Sequence, residues 1–148
     1  MNDDINIIEI TKNSLDINNK INKLLNQLSS NFRSLSSEKV DNVITNKNTI
    51  LLGAFCGSDL VGILSLICVD MLTQKKALIE DVVVDSDFRG KQIGKKLMLE
   101  AHELAKKMSC STIHLTSRPS RVVANNLYQS LGYKIKETNY YILTYLNE

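Results

Sequence analysis

The chain has 148 residues, 43% hydrophobic and 23% charged, with one proline and six glycines; this suits one globular domain over residues 1–148 and excludes a disordered, fibrous or low-complexity chain. A net charge of +2 and an aromatic content of 5%, without a basic helix stripe, argue against nucleic-acid and membrane-surface partners. The cationic excess lies in the second half, where residues 75–148 carry 12 Lys/Arg against 8 Asp/Glu, so a small anionic ligand is expected there.

Cys56, Cys68 and Cys110 are odd in number and widely spaced, which fits reduced, mostly buried thiols rather than a disulfide framework or zinc site. The acidic start Met1-Asn2-Asp3-Asp4 lacks the basic and apolar regions of a signal peptide. No apolar run approaches the ~18 residues of a membrane span, and a cytoplasmic location is expected.

In chain order, Ile5–Ile10 predicts a first strand, and the cap-like Thr11 and Ser14 precede a helical stripe from Leu15 to Leu28. Residues 29–48 are polar, with a brief stripe at Val40, Val43 and Ile44. Ile50–Cys56, the turn Gly57-Ser58-Asp59 and Leu60–Met71 read as a hairpin, and Ala77–Val84 as a third neighbouring strand. Ile93, Leu97, Ala101, Leu104, Ala105 and Met108 mark a helix of about four turns. Thr112–Thr116 predicts a strand, Val122–Leu131 a short helix ended by Gly132, and Tyr133–Leu146 a final β region. The pattern predicts an α/β fold with a mixed, mostly antiparallel central sheet flanked by helices.

The strongest local signal runs from Val82-Val83-Val84 through Asp85-Ser86-Asp87-Phe88-Arg89-Gly90 to the helix beginning near Ile93. A buried strand leading through a glycine-containing turn to a helix N-terminus presents unpaired N–H groups and a positive dipole end to an anion. Gly90 and Gly94 allow backbone approach, and Arg89, Lys91, Lys95 and Lys96 add positive charge. The spacing from Gly90 to Gly94 is too short for a P-loop, and Lys96 replaces the magnesium-binding Ser/Thr. The glycine pattern of a dinucleotide fold is also missing.

This segment resembles the GNAT N-acetyltransferases, whose pyrophosphate loop has the pattern [QR]-x-x-G-x-[GA]. Arg89 to Gly94 fits it, except that Gln92 replaces the first glycine. Asn125-Asn126-Leu127-Tyr128-Gln129-Ser130-Leu131-Gly132-Tyr133, preceded by Ala124, resembles the family's A-x-x-L-Y-x-x-x-G-[FY] segment. The resemblance implies a single-domain GNAT-like fold that uses acetyl-CoA as co-substrate and needs no metal. It implies that Val82, Val83 and Val84 meet the pantetheine arm and thioester, and that Arg89, Gly90, Lys91, Gln92, Ile93, Gly94 and Lys95 hold the pyrophosphate. Asn125 and Tyr128 would face the cofactor, Tyr128 near its sulfur. Gln92 reads as a helix-compatible residue turned away from the phosphates.

The reaction sets requirements of its own. An ammonium with a pKa of about 10 must lose a proton before attack, while a leaving thiolate of pKa about 8.5 is helped by gaining one. Tyr128 is a reasonable acid and Glu80 a reasonable base. A regular strand puts Glu80 on the face of Val82 and Val84 with Asp81 opposite, whereas a bulge would invert that parity and keep Asp81 a candidate.

His102-Glu103 is half of a zinc motif, but Lys106 stands where the second histidine belongs. His114 shares a strand face with Thr112 and Thr116, where it reads as a hydrogen-bonded structural residue or a pocket wall. Arg118 and Arg121 lie in a polar loop that suits either solvent or an anion. The sequence therefore predicts an acetyl-CoA-dependent N-acetyltransferase acting on a small-molecule or protein amine, with a homodimer left open. The alternative is a non-catalytic acyl-CoA-binding sensor of the same fold.

Overall fold

The computed structural model describes residues 4–146. Contacts divide the chain into two compact units, Met1–Leu115 and Thr116–Glu148. The first contains β1 (Ile5–Glu9), α1 (Leu15–Leu28), α2 (Ser37–Thr45), β2 (Thr49–Cys56), β3 (Asp59–Asp70), β4 (Lys75–Val84), α3 (Ile93–Lys107) and β5 (Thr112–His114). A single 3-10 turn, Ser86–Phe88, joins β4 to α3. The sheet runs β1-β2-β3-β4-β5, antiparallel throughout except for the parallel pair β4–β5.

Local chemistry accounts for the element ends. Ser14 and Ser36 accept the Ile17 and Lys39 N–H groups at 3.1 Å, capping α1 and α2. The β2–β3 hairpin turns through Gly57, whose φ of 60° favours glycine. One sheet face joins α1 and α2 in a core that includes Ile21, Leu24, Val40, Leu51, Ile63 and Val83. Across the sheet, Leu97, Met98 and Ala101 bury α3. The stripe expected for α3 is thus its core face. Gly62 permits close approach there, since a Cβ would lie 3.3 Å from both Leu97 Cδ1 and the Val83 carbonyl oxygen.

The second unit contains α4 (Val122–Ser130). Described by itself, it has no strand over 133–146, where a β region was expected. Alternating apolar residues form a strand only when a neighbour pairs their backbone groups, and this unit alone provides none. The cysteines also differ from expectation in part: Cys68 is buried, whereas Cys56 and Cys110 are half-buried. Burial and the neighbouring Cys110 push the Cys68 thiol up to about 11, which suits an inert packing residue.

Candidate functional site

The middle of β4 departs from regular geometry. Ser65 pairs with Glu80 and Ile63 with Val83, so a single β3 residue, Leu64, stands opposite Asp81 and Val82. Asp81 absorbs the extra residue with a φ of 55°, a region that aspartate tolerates better than most side chains. This bulge corrects the expected parity. Ser65 and Ile63 share a face, so Glu80 and Val83 do too, although they are three positions apart. Asp81 is also brought to that side, where the Ser65 hydroxyl donates to its Oδ2 at 3.0 Å.

β4 is also open along its other edge. It pairs with β5 only at Lys76, Ala77 and Leu78, so from Ile79 to Val84 that edge has no β5 partner among the described residues. The segment expected to meet a pantetheine arm, Val82–Val84, lies within this stretch. Free backbone N–H groups there suit an extended amide-bearing ligand and a polarised carbonyl oxygen.

Past β4, a set of hydrogen bonds shapes the loop. Buried Asp85 receives the Asp87 N–H at its Oδ1 (3.0 Å), and its own N–H donates to the Val61 carbonyl (2.8 Å). Ser86 N–H donates to Gln27 Oε1 of α1 at 2.9 Å. Arg89 Nε donates to the Val84 carbonyl at 3.4 Å, and Lys91 Nζ lies 5.1 Å from the Phe88 ring centroid. Arg89, Gly90, Lys91, Gln92 and Lys95 are exposed, whereas Ile93 is buried and anchors the helix.

Gly90 and Gln92 both have left-handed backbones, with φ of 81° and 61°. Gln92 occupies the N-cap position of α3 and makes no side-chain cap bond, which leaves the first amides of a 15-residue helix open to an anion. This corrects the reading of Gln92 as merely helix-compatible. Its position requires the backbone region that the family pattern's glycine adopts without cost.

Glu80 and Asp81 are adjacent carboxylates within β4, at its bulge. Burial first, then the charge of Asp81, pushes the Glu80 carboxyl above its ordinary range. A carboxylate raised in this way accepts a proton more readily near neutral pH.

In the second unit, Tyr128 is 9% exposed, and its ring meets Tyr133 edge-to-face at 6.1 Å. Burial pushes the Tyr128 phenol up, partly offset by Arg121. Asn125 donates its side-chain amide to the Arg118 and Arg121 carbonyls at 2.9 and 2.8 Å. Both donor positions of that amide hold the loop before α4.

His114 Nε2 lies 2.9 Å from Thr112 Oγ1, as their shared strand face implies. His102 is half-buried, and burial, then Lys106, lowers its pKa. Among the described residues no cluster of three or more His, Cys, Asp or Glu is placed to hold a metal, and no helix is long and apolar enough to cross a membrane. Sequence reading missed Ser65, whose only local signal is a hydroxyl at a buried position of an apolar strand.

Comparison with known proteins matches residues 21–133 to the model of the acetyltransferase (GNAT) family. That range crosses both compact units. The chain is 30% identical over 108 residues to a spermidine N(1)-acetyltransferase of Thermoplasma acidophilum, covering 70% of this chain and 65% of that protein. It thus spans just under two-thirds of that relative's length. A solved structure described as a transcriptional regulator from Bacillus halodurans is 28% identical with a TM-score of 0.83, covering 95% of this chain and all of that one. An aminoglycoside acetyltransferase from an uncultured soil sample is 19% identical with a TM-score of 0.84, covering 97% of each chain, and shows likeness of fold.

Proposed function

The chain belongs to the acetyltransferase (GNAT) family, and from that premise we propose that it transfers the acetyl group of acetyl-CoA directly to a primary amine of a small molecule or protein. The observation that carries this reading is a pair of open backbone-donor stretches joined by a short loop. The β4 edge beyond Leu78 is followed, through the loop, by the uncapped N-terminus of α3. A pantetheine arm fits the first part and a pyrophosphate the second.

Acetyl-CoA supplies an activated acyl group and a thiolate that can leave. In our reading, N–H groups of Val82 and Val84 polarise the thioester carbonyl, while Arg89–Lys95 hold the phosphates. Glu80, directly or through water, takes a proton from the acceptor ammonium and passes it to solvent. The amine nitrogen then bonds to the acyl carbon as the carbon–sulfur bond breaks. The nitrogen sheds its second proton, the thiolate gains one from Tyr128, and solvent restores the phenol. No metal has a role in these steps.

A non-catalytic acyl-CoA sensor is the second reading, favoured by the likeness to the Bacillus halodurans protein described as a transcriptional regulator. Both readings require acetyl-CoA binding. A ligand specific for the native state adds about 2.7 kcal/mol at a hundredfold excess over Kd. Melting should therefore rise by about 5–10 °C with acetyl-CoA and much less with NADH or ATP. No shift, or equal shifts with all three, would overturn both readings.

A further inference from the structure

A pocket opens between α1, α2 and the sheet, beside the β4 bulge. Its volume is about 50 Å³, well below the roughly 300–1,000 Å³ of pockets for drug-sized ligands, so it suits a small hydrocarbon group. Its walls are apolar: Ile21 and Leu25 from α1, Leu35 from the following loop, Val40 from α2, and Leu51 and Ile63 from the sheet. Only two lining residues carry polar side chains, Ser65 and Asp81. Among the described residues the only hydrogen bond of the Asp81 carboxylate is that from Ser65 to Oδ2, so Oδ1 can receive another donor.

The loop wall is fixed by α1. Asn22 Oδ1 accepts the Leu35 N–H at 2.7 Å, its Nδ2 donates to the Leu35 carbonyl at 3.1 Å, and Asn18 Nδ2 donates there at 3.3 Å. Leu35 is therefore held as a pocket wall by three bonds from one helix face, a preorganised apolar surface rather than a mobile flap.

We propose that the acceptor is a primary amine carried on a hydrocarbon group, with its ammonium on Asp81 and its alkyl or aryl portion against Leu25, Leu35 and Val40. This rests on the acetyltransferase reading above and names the class of substrate. One carboxylate and one hydroxyl satisfy one ammonium. A sugar's hydroxyls or a second ammonium would lose water against Ile21, Leu25 and Val40 without gaining partners, which is unfavourable. A methylene placed there gains affinity of about fourfold.

The test is acetylation of n-propylamine through n-hexylamine and benzylamine, compared with glucosamine and spermidine, followed by CoA thiol release and paired with calorimetric binding of n-hexylamine. The expected kcat/KM rises about threefold to fourfold per added methylene until the pocket is filled. Asp81→Asn should raise KM for n-hexylamine about tenfold or more with a much smaller change in kcat. Asparagine also tolerates a positive φ, so the bulge is kept. Leu35→Ala should flatten the chain-length dependence, and melting of both variants reports on folding.

Turnover of glucosamine or spermidine in preference to every apolar amine would overturn this inference and leave the acetyltransferase reading intact. Binding of n-hexylamine that Asp81→Asn weakens, with no turnover of any amine, would support the pocket while removing the transferase reading. Absence of both binding and turnover of n-hexylamine would overturn the pocket assignment. A Leu35→Ala variant with unchanged chain-length dependence would do so as well.

Discussion

Lys23 of α1 places its Nζ 3.6 Å from Oδ2 of Asp85, the buried residue that opens the loop between β4 and α3. The two partners contribute unequally. Lys23 is largely exposed, so its attraction is screened, whereas Asp85 also accepts the Asp87 N–H inside the loop.

Asp85→Ala should therefore lower stability by about 1–2 kcal/mol, or about 2–8 °C in melting temperature, through loss of the cap bond. Lys23→Ala should cost well under about 1 kcal/mol. The Asp85 variant should also bind acetyl-CoA more weakly, because the loop that presents Arg89–Gln92 loses one of the bonds that hold it. Equal melting shifts for the two variants would show that the ion pair, not the cap, organises the loop.

The left-handed backbone of Gln92 predicts that Gln92→Gly stabilises the protein by up to about 1 kcal/mol, since a side chain at positive φ is strained by roughly that amount. Acetyl-CoA affinity should change little, because the open amides of α3 are unaltered. Thermal melts and calorimetry check both. A destabilised Gln92→Gly, or affinity improved tenfold, would mean that the glutamine side chain itself acts at the loop.

Glu80 ties the site to pH. Its carboxyl titrates above the ordinary 4.5, so between that value and its folded pKa the native state holds more protons than the unfolded chain. Stability therefore falls as pH rises through this window, and Glu80→Gln should melt no lower than wild type at pH 7. The low-pH limb of kcat/KM should lie above the usual glutamate range and vanish in Glu80→Gln. A surviving limb would assign the base to Asp81 or to water.

Tyr128→Phe removes only the hydroxyl of a buried ring. It should leave acetyl-CoA affinity nearly unchanged while kcat falls about 10²-fold or more, the usual scale for losing a general acid. Burial holds the phenol above its ordinary value of 10.0, so any alkaline loss of wild-type kcat caused by Tyr128 should have its midpoint above pH 10. Unchanged kcat in Tyr128→Phe would leave the thiolate to be protonated by solvent.

The legible features were local ones. The stripe from Ile93 to Ala105 marks α3 because its 3.6-residue period is the shape of the buried face. Arg89–Gly94 announced an anion loop because glycine and charge at a strand-to-helix turn act through adjacent backbone groups. The side of β4 on which Asp81 lies was not legible, since parity depends on how many residues face each other across two strands. Leu35 and Asn22 were hidden for a similar reason. Their bonds join residues 13 apart, and the polar residues around Leu35 carry no periodicity to announce a pocket wall. The apolar stretch 133–146 shows the converse, an apparent strand signal without a partner in its own unit.

The most direct test of the central claim is incubation of the protein with acetyl-CoA and a panel of primary amines, measuring CoA thiol release and the mass of the amine product together. The account predicts one thiol released for each amine that gains an acetyl group, with loss of turnover in the Glu80→Gln, Tyr128→Phe double variant. Acetyl-CoA binding with no acetylated amine from any acceptor, and no thiol release above the rate without protein, would contradict it and leave an acyl-CoA sensor.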